Sequence, residues 1–181
     1  ILGGGGPDIL AVDVTQMGTL VDKNLLLPWD DKIQDMDLSD FAAVIDGGKF
    51  DGTYYGLPYR TSSSIMYYNK TMFDEAGVAY PEEGWTYDDM LEIAKKLTIP
   101  GEQYGVGIAA SNADPSNVFM TLSPIVWSYG ADFLNEDQTE CTLNTPEAME
   151  AVRFFTGLYT TEKVTPEGVI NYTMTKDIMP L

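Results

Sequence analysis

The sequence contains no histidine and a single cysteine, Cys141, among its 181 residues. Without histidine, this stretch can hold neither a histidine-dependent catalytic triad nor a metal site built from imidazoles. One cysteine cannot close a disulfide within the chain, and Cys141 has no neighbouring cysteine with the spacing of a zinc site. We therefore predict no metal, no cofactor and no catalytic residue in this stretch.

Basic residues are also scarce, since ten Lys and Arg stand against 28 Asp and Glu and give a formal net charge of -18. A surface of this charge repels phosphate backbones and anionic lipid headgroups, so nucleic acid is not a predicted partner. The acidity indicates no function by itself, because carboxylates scattered over solvated faces mainly confer solubility.

Long apolar runs are missing. The longest uncharged stretch, residues 115–131, is interrupted by Ser, Asn and Pro and falls short of the roughly 20 apolar residues that a membrane-spanning helix needs. We predict a mostly buried helix there. No signal peptide is visible at Ile1, where the chain looks cut, so we expect any membrane attachment to come through an anchor outside this stretch.

Apolar residues do make up 44% of the chain, enough for one substantial core or two smaller lobes. The run at residues 9–12 is typical of a buried parallel strand. Residues 13–16 would form the loop at its carboxyl end, followed by a helix over 17–23 that stops at Asn24. Ligands gather at such strand ends in open α/β sheets.

Hydrophobic spacing and turn residues further along the chain predict a helix over 37–44, a hairpin over 49–54 around Asp51-Gly52, and a strand over 59–69. Beyond it we predict a short helix over 71–76, a helix that begins at a Thr86/Asp89 capping box, and a strand over 104–109 whose glycines permit close approach. Thr145 followed by Pro146 begins a last amphipathic helix. Alternating strands and helices indicate an α/β fold.

Four blocks of this sequence, taken together and in order, resemble a known family. They are Gly-Pro-Asp-Ile-Leu at 6–10, Gly-Thr-Tyr-Tyr-Gly-Leu-Pro at 52–58 running on to Tyr-Tyr-Asn-Lys at 67–70, Trp-Thr-Tyr-Asp-Asp at 85–89, and Tyr-Gly-Ala-Asp-Phe-Leu at 129–134 followed by Thr-Pro-Glu-Ala at 145–148. The family is that of the extracellular solute-binding proteins of ABC importers, in the branch similar to maltose- and oligosaccharide-binding proteins.

The resemblance implies an α/β fold of the periplasmic-binding-protein type II, with two lobes joined by crossing hinge strands and incomplete in this chain. It implies a partial first lobe over residues 1–60, a hinge-crossing strand over 61–68, and a partial second lobe over 69–181. It also implies closure of the lobes over a ligand by hinge bending.

The resemblance also places candidate ligand contacts. Sugar recognition uses flat aromatic faces and polar side chains that meet hydroxyl groups. The candidates are Asp13, Thr15, Gln16, Tyr59, Arg60, Ser62, Asn117, Trp127 and Asp132. Three of them have an alternative: Thr15 could be a helix N-cap, Arg60 could pair with a nearby Asp, and Trp127 could be a core residue.

The predicted function is the substrate-binding component of an ABC transporter, which captures a sugar or oligosaccharide outside the cytoplasm, in the periplasm or as a cell-surface lipoprotein. Its partners would be that small ligand and the permease subunits, and it would not be an enzyme. Two alternatives stay open at this point. Aromatic residues and carboxylates also describe glycoside hydrolases, and a surface carbohydrate-binding or adhesin protein could reuse the fold.

Overall fold

The structure is a computed structural model that describes residues 5–41, 44–61, 63–110 and 115–166. The chain divides into two compact units, Ile1–Ser64 (unit 1) and Ile65–Leu181 (unit 2). This division falls within the segment 61–68, for which a hinge-crossing role stays a prediction.

Unit 1 contains helix α1, Val14–Asp22. The helix begins three residues before the predicted start, because Asp13 rather than Thr15 is its N-cap and accepts a hydrogen bond from the backbone N–H of Thr15. The predicted end at Asn24 is confirmed, since Asn24 adopts the left-handed conformation with φ 52° after the C-cap.

The predicted hairpin is confirmed as strands β1, Lys49–Phe50, and β2, Thr53–Tyr54. Asp51 and Gly52 both have positive φ, 47° and 82°, as a two-residue hairpin turn requires. The short helix α2, Asp30–Ile33, was not predicted, and it is tied to the hairpin because the N–H of Trp29 donates to the carbonyl of Tyr54 at 2.7 Å.

Helix α1 packs on the segment around this hairpin. Met17 is the buried residue of α1, and its terminal methyl lies beside Gly56, while the ring of Phe50 lies against Gly18. Gly48 approaches Gly56 so closely that a side chain at position 48 would overlap the carbonyl oxygen of Gly56. Unit 1 therefore combines side-chain packing with a close backbone approach between Gly48 and Gly56.

Two strand predictions around unit 1 are wrong. Residues 9–12 form no strand, and Ile9 is 79% exposed. The described part of residues 59–69 also lacks strand pairing, with Tyr59 and Tyr67 each 70% exposed. A strand needs a neighbour to satisfy its backbone groups, and the only sheet among the described residues is the β1–β2 hairpin.

The predicted helix over 37–44 is also wrong in its described part. Single 3-10 turns occur at Ser39–Phe41 and Ile45–Gly48 instead, while residues 42–43 lie outside the described residues. Asp37 caps the first turn through a hydrogen bond from the N–H of Ser39 at 3.0 Å. The capping side chain thus stabilises a turn that does not propagate.

Unit 2 is helical, with α3 Lys70–Ala76, α4 Tyr87–Leu97, α5 Pro115–Ser128 and α6 Pro146–Thr160. The predicted terminal signals are confirmed. Thr86 and Asp89 form a reciprocal capping box, Thr145 caps α6 by accepting from the N–H of Ala148, and Gly77 ends α3 with φ 63°.

Two small apolar clusters hold α4, α5 and α6 together. The first joins α4 to α6 and to the segments that follow them, and consists of Met90, Ala94, Val106, Leu158 and Val164. The second joins α5 to α6 and consists of Ile125, Val126 and Ala151. Because α6 contributes to both clusters, it is the central element of unit 2.

Residues 104–109 form no strand, contrary to the prediction, and Val106 instead donates its N–H to the carbonyl of Val164 at 3.0 Å. Gly105 confirms the close approach expected at the glycines of this segment, because a Cβ there would overlap the backbone of Ala94 in α4. At Gly105 the segment thus lies directly against helix α4.

The predicted helix in residues 115–131 is confirmed as α5, but it is buried on one face only. Ser123, Ile125 and Val126 are buried, whereas Phe119 and Trp127 are 39% and 52% exposed. None of the helices in the described ranges combines the length and the apolar character needed to cross a bilayer. The exposed Phe119 and Trp127 of α5 line part of the candidate site described below.

Candidate functional site

The first group of predicted site residues lies at the amino end of α1. The Oδ1 atom of Asp13 accepts hydrogen bonds from the backbone N–H of Thr15 at 3.0 Å and from its hydroxyl at 2.7 Å. The N–H of Gln16 donates to the carbonyl of Asp13 at 2.9 Å. All three side chains are exposed, so a capping role and a ligand contact are compatible for this group.

Arg60 lies close enough to Asp13 to influence the pKa of its carboxyl group. Two hydrogen bonds from Thr15 and, to a smaller extent, the Arg60 guanidinium hold the pKa of the Asp13 carboxyl below its usual value. Arg60 also lies over the ring of Tyr59, 5.6 Å from its centroid. The ion pairs of the described residues involve Lys95 only, so Arg60 forms no ion pair with a carboxylate among them.

The second group lies in unit 2, in a groove of about 630 Å³ beside the carboxyl end of α5. We call it the Trp127 groove. Its lining combines aromatic rings, carboxylates and amides. The lining residues are Phe119, Trp127, Gly130, Ala131, Asp132, Phe133, Leu134, Asn135, Glu136, Gln138, Thr142, Thr145 and Glu147.

Aromatic side chains form one side of the Trp127 groove. Phe119 and Phe133 pack with ring centroids 5.1 Å apart, and Trp127 stands beside them with half of its surface in solvent. The indole Nε1–H of Trp127 donates to Oδ1 of Asp132 at 3.2 Å, and the same oxygen accepts from the N–H of Phe133 at 2.7 Å. The indole is therefore held in one orientation.

The local sequence explains this arrangement. Helix α5 ends at Ser128, and Gly130 takes φ 76°, so the chain reverses and Ala131 donates its N–H to the carbonyl of Val126 at 3.2 Å. The hydroxyl of Thr142 donates to the carbonyl of Asp132 at 2.6 Å and fixes the returning segment. Residue 132 consequently lies next to the last turn of α5.

A short reversal of the chain between Leu134 and Cys141 forms the far end of the groove. Leu134 bridges Cys141 in antiparallel fashion, and the Asn135 side chain accepts from the N–H groups of Thr139 and Glu140 at 2.8 and 3.1 Å. Three carboxylates line the groove, those of Asp132, Glu136 and Glu147, and no Lys or Arg lines it among the residues that the structure describes. The groove is thus an anionic surface with an aromatic wall.

The structure brings together Asp13, Thr15, Arg60 and Tyr59 in unit 1, and Trp127 with Asp132 in unit 2. Asn117 lies in the first turns of α5, where its carbonyl accepts from the hydroxyl of Thr121, and it does not line the groove. Ser62 lies outside the described residues. Ligand contact by any of these residues stays a prediction.

Sequence reasoning did not select several groove residues, namely Phe133, Glu136, Gln138 and Glu147. A signal was present for the turn, because a run of polar residues between Leu134 and Cys141 is typical of a chain reversal. No comparable signal existed for Glu147, which reaches the groove only through the packing of α6 on α5.

Comparison with known proteins supplies relatives for both units. The arabinooligosaccharide-binding protein of Halalkalibacterium halodurans is 30% identical over 170 residues, which are 92% of this chain and 36% of that protein. A binding protein of Brucella abortus is 36% identical over 123 residues, or 67% of this chain and 28% of that protein. This chain thus spans about a third of the length of these relatives.

A solved ABC substrate-binding protein of Listeria monocytogenes, in complex with cycloalternan, superposes with a TM-score of 0.77 at 28% identity. The superposition covers 97% of this chain and 46% of that protein, and it confirms the α/β fold of the periplasmic-binding-protein type II, incomplete in this chain. The sequence model of the family described as bacterial extracellular solute-binding protein matches residues 1–176. The chain belongs to this family, as a match over nearly its whole length shows.

Proposed function

We propose that the protein is the substrate-binding component of an ABC importer, which captures a sugar or oligosaccharide and delivers it to membrane permease subunits. The family match over residues 1–176 carries this proposal. The relatives support the ligand class, because one is named for arabinooligosaccharides and another was solved with cycloalternan.

The chemistry of the Trp127 groove supports the same ligand class. A half-exposed indole offers a flat apolar face to the C–H side of a sugar ring, and neighbouring carboxylates and amides offer acceptors and donors to its hydroxyl groups. Pockets that bind small polar ligands share this combination of an apolar wall and a few polar groups. Unit 1, described by itself, carries exposed polar side chains of the same kind at Asp13 and Arg60.

The proposal includes binding without turnover and a location outside the cytoplasm, in the periplasm or as a cell-surface lipoprotein. A binding protein releases its ligand unchanged, and its closure draws on a difference in ligand affinity between the open and the closed state. Delivery to permease subunits then completes the role without any chemical step on the sugar.

A glycan panel tests this function directly. The protein as encoded by its complete gene is titrated calorimetrically with arabinotriose, maltotriose, cycloalternan and mannitol, and each mixture is then analysed for released products. We expect heat of binding for at least one of these solutes and no product. Catalytic release of smaller sugars, or the absence of binding to all four, contradicts the proposal.

Replacing Arg60 by alanine is expected to weaken binding of the solute found in that panel. The loss should reach about 1 kcal/mol or more, roughly fivefold, which is the scale of a hydrogen bond to a charged group. Arg60 is exposed and its ring partner is the neighbouring Tyr59, so the fold should persist. Calorimetry measures the affinity, and circular dichroism checks the fold.

The matched control is Arg153→Ala, which removes the other arginine of the chain from the exposed face of α6. This variant should bind like the unmodified protein. Equal affinities for Arg60→Ala and Arg153→Ala would remove Arg60 from the set of ligand contacts.

A further inference from the structure

We infer that a second groove of unit 2, beside Trp85, is a surface on which a permease subunit docks, through a segment that presents one apolar side chain next to Lys or Arg. The inference rests on the proposed function, because delivery to permease subunits is itself a proposal. It adds to that proposal the surface that meets the partner and the chemistry of the segment that fits it.

This second groove has a volume of about 380 Å³. The connection between α3 and α4, residues 78–85, forms one part of it, and Asp89, Ile93 and Lys96 of α4 form the other. We call it the Trp85 groove. It shares no described lining residue with the Trp127 groove, so a solute held beside Trp127 would not fill it.

Apolar side chains form part of the lining of the Trp85 groove. Val78, Pro81 and Ile93 are partly buried there, and Trp85 borders the groove with 37% of its surface exposed. Tryptophan is enriched among the residues that contribute most to binding energy in protein interfaces, where it packs with apolar anchors of the partner. The groove therefore fits an apolar side chain of a second protein.

The wall of the Trp85 groove is ordered before any partner binds. The hydroxyl of Tyr80 donates to Oδ1 of Asp74 at 2.6 Å. The Tyr80 ring also packs with those of Tyr68 and Phe73, at centroid distances of 5.6 and 5.9 Å. The capping box at the start of α4 fixes the other end of the connection. A surface that is held in one shape loses little conformational freedom on association.

Unpaired carboxylates stand beside this apolar lining. Glu82 and Glu83 are exposed neighbours, and neither belongs to an ion pair in the described part of the chain. Asp89 is already engaged, because its Oδ2 accepts from the N–H and the hydroxyl of Thr86. Lys96 is the only basic residue lining the groove among those that the structure describes. Carboxylates accept hydrogen bonds and cannot donate them, so Glu82 and Glu83 match a Lys or Arg of the partner.

The charge of the whole chain favours the same kind of partner. A formal net charge of -18 attracts basic segments and repels anionic surfaces such as acidic lipid headgroups. An apolar groove flanked by two unpaired carboxylates therefore favours a basic protein segment with an apolar anchor over a lipid surface. In the proposed function, the protein that receives the solute is the permease.

Association with the permease tests the inference, in the protein as its complete gene encodes it. The permease subunits encoded with that gene are reconstituted in lipid nanodiscs, and association is followed by biolayer interferometry. Glu82→Gln combined with Glu83→Gln should slow association about tenfold at low salt, because charges at the rim of an interface steer the encounter. The difference should shrink at 1 M salt, which screens exposed charges.

A second variant addresses the apolar anchor. Trp85→Ala should weaken the affinity for the permease about tenfold or more, the scale of one lost interface tryptophan. Solute affinity, measured by calorimetry, should stay unchanged in this variant and in the double glutamine variant, since neither changes a residue that lines the Trp127 groove. Unchanged solute affinity also shows that the variants are folded. If Trp85→Ala fails to fold, the double glutamine variant decides alone.

Matched controls change similar side chains outside both grooves. Asp137→Asn combined with Glu140→Gln removes two exposed carboxylates of unit 2. Met149→Ala truncates an apolar side chain that is 38% exposed, close to the exposure of Trp85. Both controls should associate with the permease nanodiscs like the unmodified protein.

The outcomes separate this inference from the proposed function. Association that is the same in the groove variants as in the controls overturns the inference while the proposed function stands. Equal binding to nanodiscs without permease assigns the groove to lipid, and loss of self-association in analytical ultracentrifugation assigns it to a second copy of the chain; either result also overturns the inference. Failure of the unmodified protein to bind the permease at all sinks both proposals together.

Discussion

Replacing Gly105 by alanine is expected to destabilise unit 2 by about 3 kcal/mol or more, the upper range for forcing extra atoms into a packed interior. The new Cβ would overlap the carbonyl oxygen of Ala94, a backbone atom of helix α4. A flexible side chain could rotate away from such a clash, but a helical carbonyl cannot. The free energy of unfolding, measured in urea by circular dichroism, should fall accordingly.

The segment around Gly105 cannot easily shift to relieve the clash. The hydroxyl of Thr98 donates to the carbonyl of Ala94 at 2.7 Å and accepts from the N–H of Gly105 at 3.0 Å, so one side chain links the two backbones. The neighbouring Val106 donates its backbone N–H to the carbonyl of Val164. Moving the segment away from α4 would break these hydrogen bonds, and the strain therefore stays in the folded state.

Gly157→Ala is the matched control, because the same substitution there should have the opposite sign. Gly157 lies inside α6, where an added Cβ meets nothing within 4 Å. Alanine at this position should raise stability by about 0.5 to 1 kcal/mol, since glycine loses more backbone freedom in a helix. Equal stability of the two variants would show that residues 104–106 do not lie against α4.

Replacing Leu158 by alanine is the second large effect, with an expected loss of about 3 kcal/mol in the free energy of unfolding. Leu158 has no exposed surface and belongs to the cluster of Met90, Ala94, Val106 and Val164. The truncation removes apolar contacts from elements that are distant in the sequence, and the backbone around α6 can close only part of the cavity. Urea unfolding followed by circular dichroism measures the loss.

Leu27→Ala provides the comparison, because Leu27 is 81% exposed and the same atoms are removed from a solvated position. Its stability should change by less than about 0.5 kcal/mol. If Leu158→Ala unfolded at the same urea concentration as Leu27→Ala, the cluster around Leu158 would not be the core of unit 2.

Local signals in the sequence predicted local structure well. The capping box of Thr86 and Asp89, the Thr145-Pro146 start of α6 and the Asp51-Gly52 turn each act within about four residues, and all three are present. The chemistry that creates them needs no distant partner. Strand predictions failed for the complementary reason. Residues 9–12 and 104–109 are apolar, but a strand also requires a neighbour that the described residues do not supply.

In the candidate site too, features set by nearby residues were predicted and those that depend on distant packing were not. Trp127 and Asp132 were each selected from the sequence. They meet because helix α5 ends between them and the chain then reverses at Gly130. Glu147 was not selected, because its place in the groove depends on how α6 packs on α5. The alternative interpretation of Trp127 as a core residue is wrong, as its 52% exposure shows.

The isolated β-bridge between Leu134 and Cys141 has a practical consequence for studying this molecule. Cys141 is the single thiol of the sequence and is exposed, while its bridge partner Leu134 borders the Trp127 groove. A maleimide dye would therefore attach at one defined position, a few ångströms from the surface on which a solute is proposed to rest. A fluorescent dye on Cys141 could therefore report binding of the proposed solute without any added cysteine.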